Sequence, residues 1–320
     1  GANGYLGKYV IAEAIQQGYK IIGFKFNHIR STIIDHPDIQ YINCDISKPI
    51  SKQSGIKEII SNRNIAGIIN TAALLGSSDY NKNYEVNGLG VKNIMDFAKE
   101  INVSKIVQIS SVVVLKSIKG PYGVTKLKGQ EFLINSDFDY TVFIPALILG
   151  PESLGINRIL KNVFRFPFFV PLIGTGIQTQ HPVYIKDFAK YIVKSVGNQA
   201  SKQKVYEIAG DTVISFKNLI KLILKIKKKT KIFIPVPVFI ASTLGKIFQT
   251  TQKVPVFTAE HVKGVLQDSK LNTTMLIKDM DYKPTPLEIA MAETLEKINH
   301  NWDKYLDIHE EKVIQIKEFV

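Results

Sequence analysis

Short apolar runs alternate with helical stretches through the first half of the chain. Residues 8–17 carry apolar side chains at helical spacing, and residues 19–26 then read as a strand. The alternation continues with a strand at 39–44, a helix at 54–61, a strand at 67–71 and a longer helix at 84–101. It ends with a strand at 105–109, a helix at 122–135 and a strand at 140–144. Short strands separated by helices predict βαβ units and a parallel sheet covered on both faces. Right-handed crossovers then make a Rossmann-type, doubly wound α/β sheet the expected fold.

Beyond residue 150 the rhythm loosens. Residues 150–180 are rich in Pro, Gly and Phe. A helix is expected at 187–196, with Asp187 as its N-cap, followed by a strand at 205–209. Further helices are expected at 216–225, 258–267 and 286–298, and a charged terminal helix over 301–320. The expected organisation is a sheet domain over 1–150, to which 181–210 returns. Residues 151–180 and 211–300 form a smaller, mainly helical substrate lobe.

The chain has 320 residues, 45% hydrophobic and 22% charged, which is globular composition. Cys44 is the single cysteine, which excludes an internal disulfide and a cysteine-based zinc cage. No metal site is expected, and a reducing, cytoplasmic setting fits. No run of about 20 uncharged apolar residues predicts a spanning helix. The formal charge is +13. It reads mainly as lysine-rich surface, with a share left for an anionic cofactor and substrate. No aromatic-basic pattern for reading bases is present, so nucleic acid is not expected as a partner. The lysine run at 225–231 leads into apolar residues 232–240, which reads either as a peripheral membrane contact or as a solvated helix end before a strand.

Gly1, Gly4 and Gly7 form a G-x-x-G-x-x-G turn opening into a helix. Glycines admit the backbone to a pyrophosphate, and the helix start offers unpaired N–H groups. Tyr122 and Lys126 lie four apart on a predicted helix, so the phenol and the ammonium share one face. A cation beside a phenol favours the phenolate, which makes Tyr122 a candidate general acid/base. Ser110 and Ser111 end an apolar strand, where a hydroxyl can hold a substrate oxygen.

Together these residues resemble the short-chain dehydrogenase/reductase superfamily, in its extended or atypical branch, the NAD-dependent epimerase/dehydratase family. The resemblance covers nearly the whole chain. It implies cofactor contacts from Gly1, Asn3, Gly4, Tyr5, Leu6 and Gly7. Asp45 and Ile46 resemble the pair that contacts the adenine. Thr71, Ala72 and Ala73, with Asn70, resemble the element beside the cofactor, and Asn87 the helix asparagine that follows. Ser111, Tyr122 and Lys126 match the catalytic set, with Tyr122 and Lys126 also touching the cofactor. Pro145 resembles the residue near the nicotinamide, with Ile144 where the family usually has Arg. Residues 181–187, 268–270 and 282–284 resemble the family's later motifs, and His181 reads as structural.

Three departures qualify the resemblance. The central strand expected before Gly1 is absent, so the chain reads as N-terminally truncated. Lys25, with Arg30 nearby, stands where an acid would hold a ribose 2′-hydroxyl, which favours NADP over NAD. Eleven positions separate Ser111 and Tyr122, a shorter loop than in sugar epimerases of the family. That loop is more similar to the atypical branch, which includes a nucleotide-binding accessory subunit of respiratory complex I.

Two functions follow as expectations. One is an NAD(P)-dependent epimerase, dehydratase or reductase acting on a nucleotide-diphosphate sugar, with Arg158, Lys161 and Arg165 as candidate phosphate contacts. The other is a non-catalytic dinucleotide-binding subunit or sensor. The resemblance also implies a homodimer.

Overall fold

The computed structural model describes residues 1–26, 32–61, 63–251, 262, 264, 266–298 and 312–316. Helix α1 (Tyr5–Gln16) leads into strands β1 (Ile21–Lys25), β2 (Thr32–Asp35) and β3 (Ile39–Asn43). The short α2 (Ile56–Ile60) precedes β4 (Ile68–Asn70). Then come α3 (Tyr80–Asn83), a π-helical turn (Tyr84–Leu89) and α4 (Gly90–Glu100). They are followed by β5 (Lys105–Ile109), α5 (Gly120–Ile134), β6 (Asp139–Pro145) and β7 (Ile148–Leu149).

The second half opens with α6 (Leu154–Phe164), β8 (Phe169–Ile173), β9 (Thr179–Gln180) and β10 (Val183–Tyr184). Next are α7 (Ile185–Gly197), β11 (Lys204–Ile208), β12 (Ile214–Ser215) and α8 (Phe216–Ile226). The chain continues through β13 (Ile232–Val236), α9 (Val238–Thr251), α10 (Thr274–Met280), α11 (Leu287–Ile298) and β14 (Lys312–Gln315).

Four parallel strands form the main sheet in the order β11-β6-β5-β4. β1 and β3 form a second parallel pair. Successive strand residues point to opposite faces, and the packing follows that rule. Val107 and Ile109 of β5 and Phe143 of β6 join a core with α1, α7 and α11. Ile106 of β5, with Val142 and Ile144 of β6, joins a core with α4 and α5. Helices therefore cover both faces, as a doubly wound sheet requires.

The polar exceptions inside the sheet are paired, as burial demands. The Lys105 ammonium bonds to Asp139 Oδ1 at 3.1 Å and Thr141 Oγ1 at 2.9 Å. Gln108 Oε1 accepts from Asn70 Nδ2 at 2.8 Å.

Several local expectations change. The long helix at 84–101 is interrupted by the π-helical turn at its start. Asp187 is not an N-cap: α7 begins two residues earlier, and Tyr184 occupies the cap position. The Asp187 carboxylate instead accepts from Thr285 N at 2.6 Å and Thr285 Oγ1 at 2.8 Å. Of the expected terminal helix, the described part is β14, a strand paired with β2. β-branched Val313 and Ile314 favour that state. The rest of 301–320, and most of the helix expected at 258–267, lie outside the described residues.

The irregular stretch after residue 150 contains α6, which the Pro, Gly and Phe content hid. Ile156, Leu160 and Val163 bury one helical stripe. Ser153 Oγ accepts from Ile156 N at the N-cap. The later family motifs act as clamps. His181 accepts from Leu271 N at 3.2 Å and contacts Gly210 O at 3.0 Å. Tyr282 donates to Ala209 O at 2.7 Å.

Candidate functional site

In open α/β sheets, ligands bind beyond the carboxyl ends of the strands. Several of the residues singled out in the sequence lie there. The Gly1 nitrogen donates to Phe24 O, on β1, at 3.2 Å. The Gly1 carbonyl accepts from Thr71 Oγ1, just past β4, at 3.1 Å. Gly1 thus bridges two strand ends that are not bonded to each other among the described residues.

The loop is tight because side chains are missing. A Cβ at Gly7 would lie 2.1 Å from Gly1 O, and one at Gly1 would lie 2.5 Å from Ala72 N. Gly4, the N-cap of α1, offers no side-chain acceptor, so the first-turn amides of Tyr5 and Leu6 have no side-chain cap. Their side chains serve packing. Leu6 is core, and the Tyr5 ring stands edge-on to Tyr9 at 6.0 Å. Asn3 is buried and ties the loop to β1's exit through Nδ2 to Phe26 O at 2.7 Å.

The candidate set Ser111, Tyr122 and Lys126 sits one strand further along. Pro121 lies in the first turn of α5 and Tyr122 directly follows it. The Tyr122 hydroxyl lies close enough to Ser111, past the end of β5, for that hydroxyl to favour the phenolate. Lys126 lies one turn later, buried, and donates to Ile109 O at 2.5 Å. Neighbouring strands are about 4.8 Å apart, so the glycine loop and Ser111 are separated by one to two strand spacings.

The electrostatics are specific. Burial pushes the Tyr122 phenol up to about 12, against a smaller lowering from Ser111. Burial also pulls the Lys126 ammonium down to about 8. The lowering that acts on the phenol comes from Ser111. Ser111 also caps the turn Val112–Leu115 through Val113 N. Ser110 takes no part, because its hydroxyl donates to Gln130 Oε1 at 2.7 Å.

The remaining candidates divide. Asn87 lies in the π-helical turn, and its amide is held by Leu74 N at 3.0 Å and Leu74 O at 3.1 Å. It shapes the chain after Thr71, Ala72 and Ala73. Asp45 accepts from Ser47 N and Ser47 Oγ, while Ile46 packs under α4. Lys25 closes β1, and Arg30 lies outside the described residues. Pro145 closes β6 opposite Ile208. Arg158 reaches the loop at Gly76, whereas Lys161 and Arg165 are exposed.

One contributor was missed. Gln267 donates to Ile118 O and accepts from Ile118 N, so the lobe lies against the Ser111–Tyr122 loop. A cavity of about 370 Å³ opens there, lined in part by Val112, Leu115, Lys116 and Asp268. Its signal was the D-x-K pattern at 268–270, which the sequence placed at the end of the body without a neighbour.

Fold and site define a protein of the extended short-chain dehydrogenase/reductase branch, built on a Rossmann-type sheet. The family model described as NAD dependent epimerase/dehydratase matches residues 1–209, and the chain belongs to that family. A mouse relative, NADH dehydrogenase (ubiquinone) 1 alpha subcomplex subunit 9, mitochondrial, is 24% identical over 309 residues, 93% of this chain and 78% of that protein. Among solved structures, the epimerase Mth375 of Methanothermobacter thermautotrophicus superposes with a TM-score of 0.75 at 15% identity, covering 97% of this chain and 93% of that one. The dTDP-glucose 4,6-dehydratase of Bacillus anthracis, solved in complex with NAD, gives 0.71 at 18% identity, covering 94% and 96%.

Proposed function

We propose that the chain binds a nicotinamide dinucleotide along the 1–7 loop and interconverts a carbonyl and an alcohol on a nucleotide-diphosphate sugar. The carrying observation is Ser111 set beside the Tyr122 phenol, with Lys126 buried one turn along the same helix. Among the described residues no carboxylate pairs with that ammonium, which is a costly arrangement for packing alone. In this reading the first turn of α1 holds the pyrophosphate, and Thr71, Ala72 and Ala73 border it. The dinucleotide supplies hydride transfer when bound. Tyr122 moves the hydroxyl proton, Ser111 orients the oxygen, and Lys126 orders the ribose side. Lys25 supports NADP as the form bound, and the NAD in the Bacillus anthracis relative supports NAD.

Denaturing the purified protein and identifying the released dinucleotide by mass spectrometry tests this. NADP or NAD at near-stoichiometric level is expected; an empty extract and no uptake of added dinucleotide refute the reading. The loop gives a second test. Gly7→Ala drives a Cβ into the Gly1 carbonyl, which costs about 1–3 kcal/mol of stability unless the loop shifts, and a shifted loop is expected to bind the dinucleotide more weakly. Calorimetric titration with NAD or NADP measures it.

A non-catalytic dinucleotide-binding subunit is the second reading. The likeness to the mouse protein over 93% of the chain favours it. So does a phenol pushed up to about 12. It expects tight dinucleotide binding without turnover, and stable co-purification with other subunits. A reducing compartment suits both, because the lone Cys44 is buried and its thiol is pushed up to about 11.

A further inference from the structure

The net charge is concentrated in two segments of the chain. Residues 153–186 and 212–259 contain 13 Lys and Arg and no Asp or Glu. The remaining residues are charge-balanced, so these two segments carry the whole +13. Their described parts include α6, β8, α8, β13 and α9.

β8 and β13 run parallel, with Phe169 opposite Ile232 and Pro171 opposite Ile234. One face packs inward, where Val170 and Leu172 meet Val163, Ile220 and Leu224. The other face is apolar and open. Ile232 is 72% exposed and Ile234 44%, and residues two apart on a strand share a side. Phe168, just before β8, is 78% exposed, and Phe239, at the start of α9, is 72% exposed. Large apolar side chains grouped on a surface mark a contact site.

Cations flank this edge. Lys228 and Lys229 are exposed immediately before β13, and Lys161 and Arg165 are exposed on and just after α6. Lys231 binds the two flanks together, donating to Val163 O at 2.8 Å and Phe166 O at 2.5 Å. Phe166 in turn stacks on Phe169 at 4.5 Å.

We propose that this β8–β13–α9 edge docks on an anionic lipid surface. Phe168, Ile232, Ile234 and Phe239 enter the headgroup boundary, and the flanking Lys and Arg meet lipid phosphates. Apolar residues backed by cations are the composition of an interfacial contact, and anionic lipid attracts each such cation. A second copy of the chain is a poor occupant, because it would set these cation-bearing segments, which contain no Asp or Glu, against their own copies. No helix among the described residues is long and apolar enough to cross a membrane, so the contact is peripheral.

The test is co-sedimentation of the whole chain with vesicles of phosphatidylcholine alone or containing about 30% phosphatidylglycerol. Binding is expected to the anionic vesicles only, and to fall as salt rises. Phe168→Ser with Ile232→Ser and Phe239→Ser, and separately Lys228→Glu with Lys229→Glu, should each weaken it by about tenfold or more. The far-ultraviolet circular dichroism of each variant checks folding, and the exposed charge pair keeps the test valid if the apolar variant fails to fold. No binding of the unmodified chain to anionic vesicles overturns the proposal. So does unchanged binding by either folded variant, or concentration-dependent self-association lost with the apolar substitutions.

Discussion

Tyr122→Phe should lower turnover on a nucleotide-diphosphate sugar by about 10²- to 10⁴-fold while leaving dinucleotide affinity nearly unchanged. The substitution removes one oxygen and keeps the ring, so the packing of α5 against the Ser111 loop survives. What disappears is the phenolic proton that Ser111 faces at that strand end. The two readings separate here. An enzyme loses its rate and keeps its cofactor; a dinucleotide-binding subunit has no rate to lose. The measurement is single-turnover hydride transfer, followed by nicotinamide absorbance. A Tyr122→Phe protein as fast as the parent would remove Tyr122 from the mechanism. The pH dependence adds a sign. A phenol held near 12 is protonated at neutral pH, so a rate needing the phenolate should climb with pH through the neutral and mildly alkaline range. The Phe variant should lose that climb.

The doubly wound sheet was legible in the sequence because burial on both faces writes near-continuous apolar runs. β5 is the clearest case, with all five residues buried and only Lys105 and Gln108 polar. Ser111, Tyr122 and Lys126 were legible for a related reason. A strand end and a helix first turn fix the direction of a side chain by spacing alone. The lobe was harder. α6 lies in a stretch whose composition reads as loop, and its stripe emerges only in the fold, where Ile156 and Leu160 join the main core and Val163 meets the β8–β13 pair. β14 reads as a charged helix in isolation, because its pairing with β2 is 280 residues distant in sequence and no local pattern encodes it. Asp187 looked like a cap, yet its carboxylate is claimed by Thr285, 98 residues away. Sharing a helix face brings two side chains near one another, but the Ile109 carbonyl decides where the ammonium is held.

Glu152→Gln should destabilise the protein by about 2–3 kcal/mol. Lys8 follows the glycine loop on α1 and its side chain is 1% exposed, paired with Glu152 in the turn before α6. Removing one member of a buried pair commonly costs about 3–5 kcal/mol, because it strands the other charge. Glu152 is 28% exposed, so water reaches one side of the pair and the expected loss is smaller. Lys8→Met with Glu152→Gln should recover most of the stability, since an apolar chain of similar length fills the site without a charge to solvate. Chemical denaturation of the two variants and the parent measures both effects, and an unchanged midpoint for Glu152→Gln alone would contradict the buried pairing. The pair joins α1, whose first turn faces the glycine loop, to the turn that opens the lobe. Loosening it should therefore weaken dinucleotide binding in the single variant and leave it near the parent value in the double one. That correlation distinguishes a brace between loop and lobe from a local packing defect.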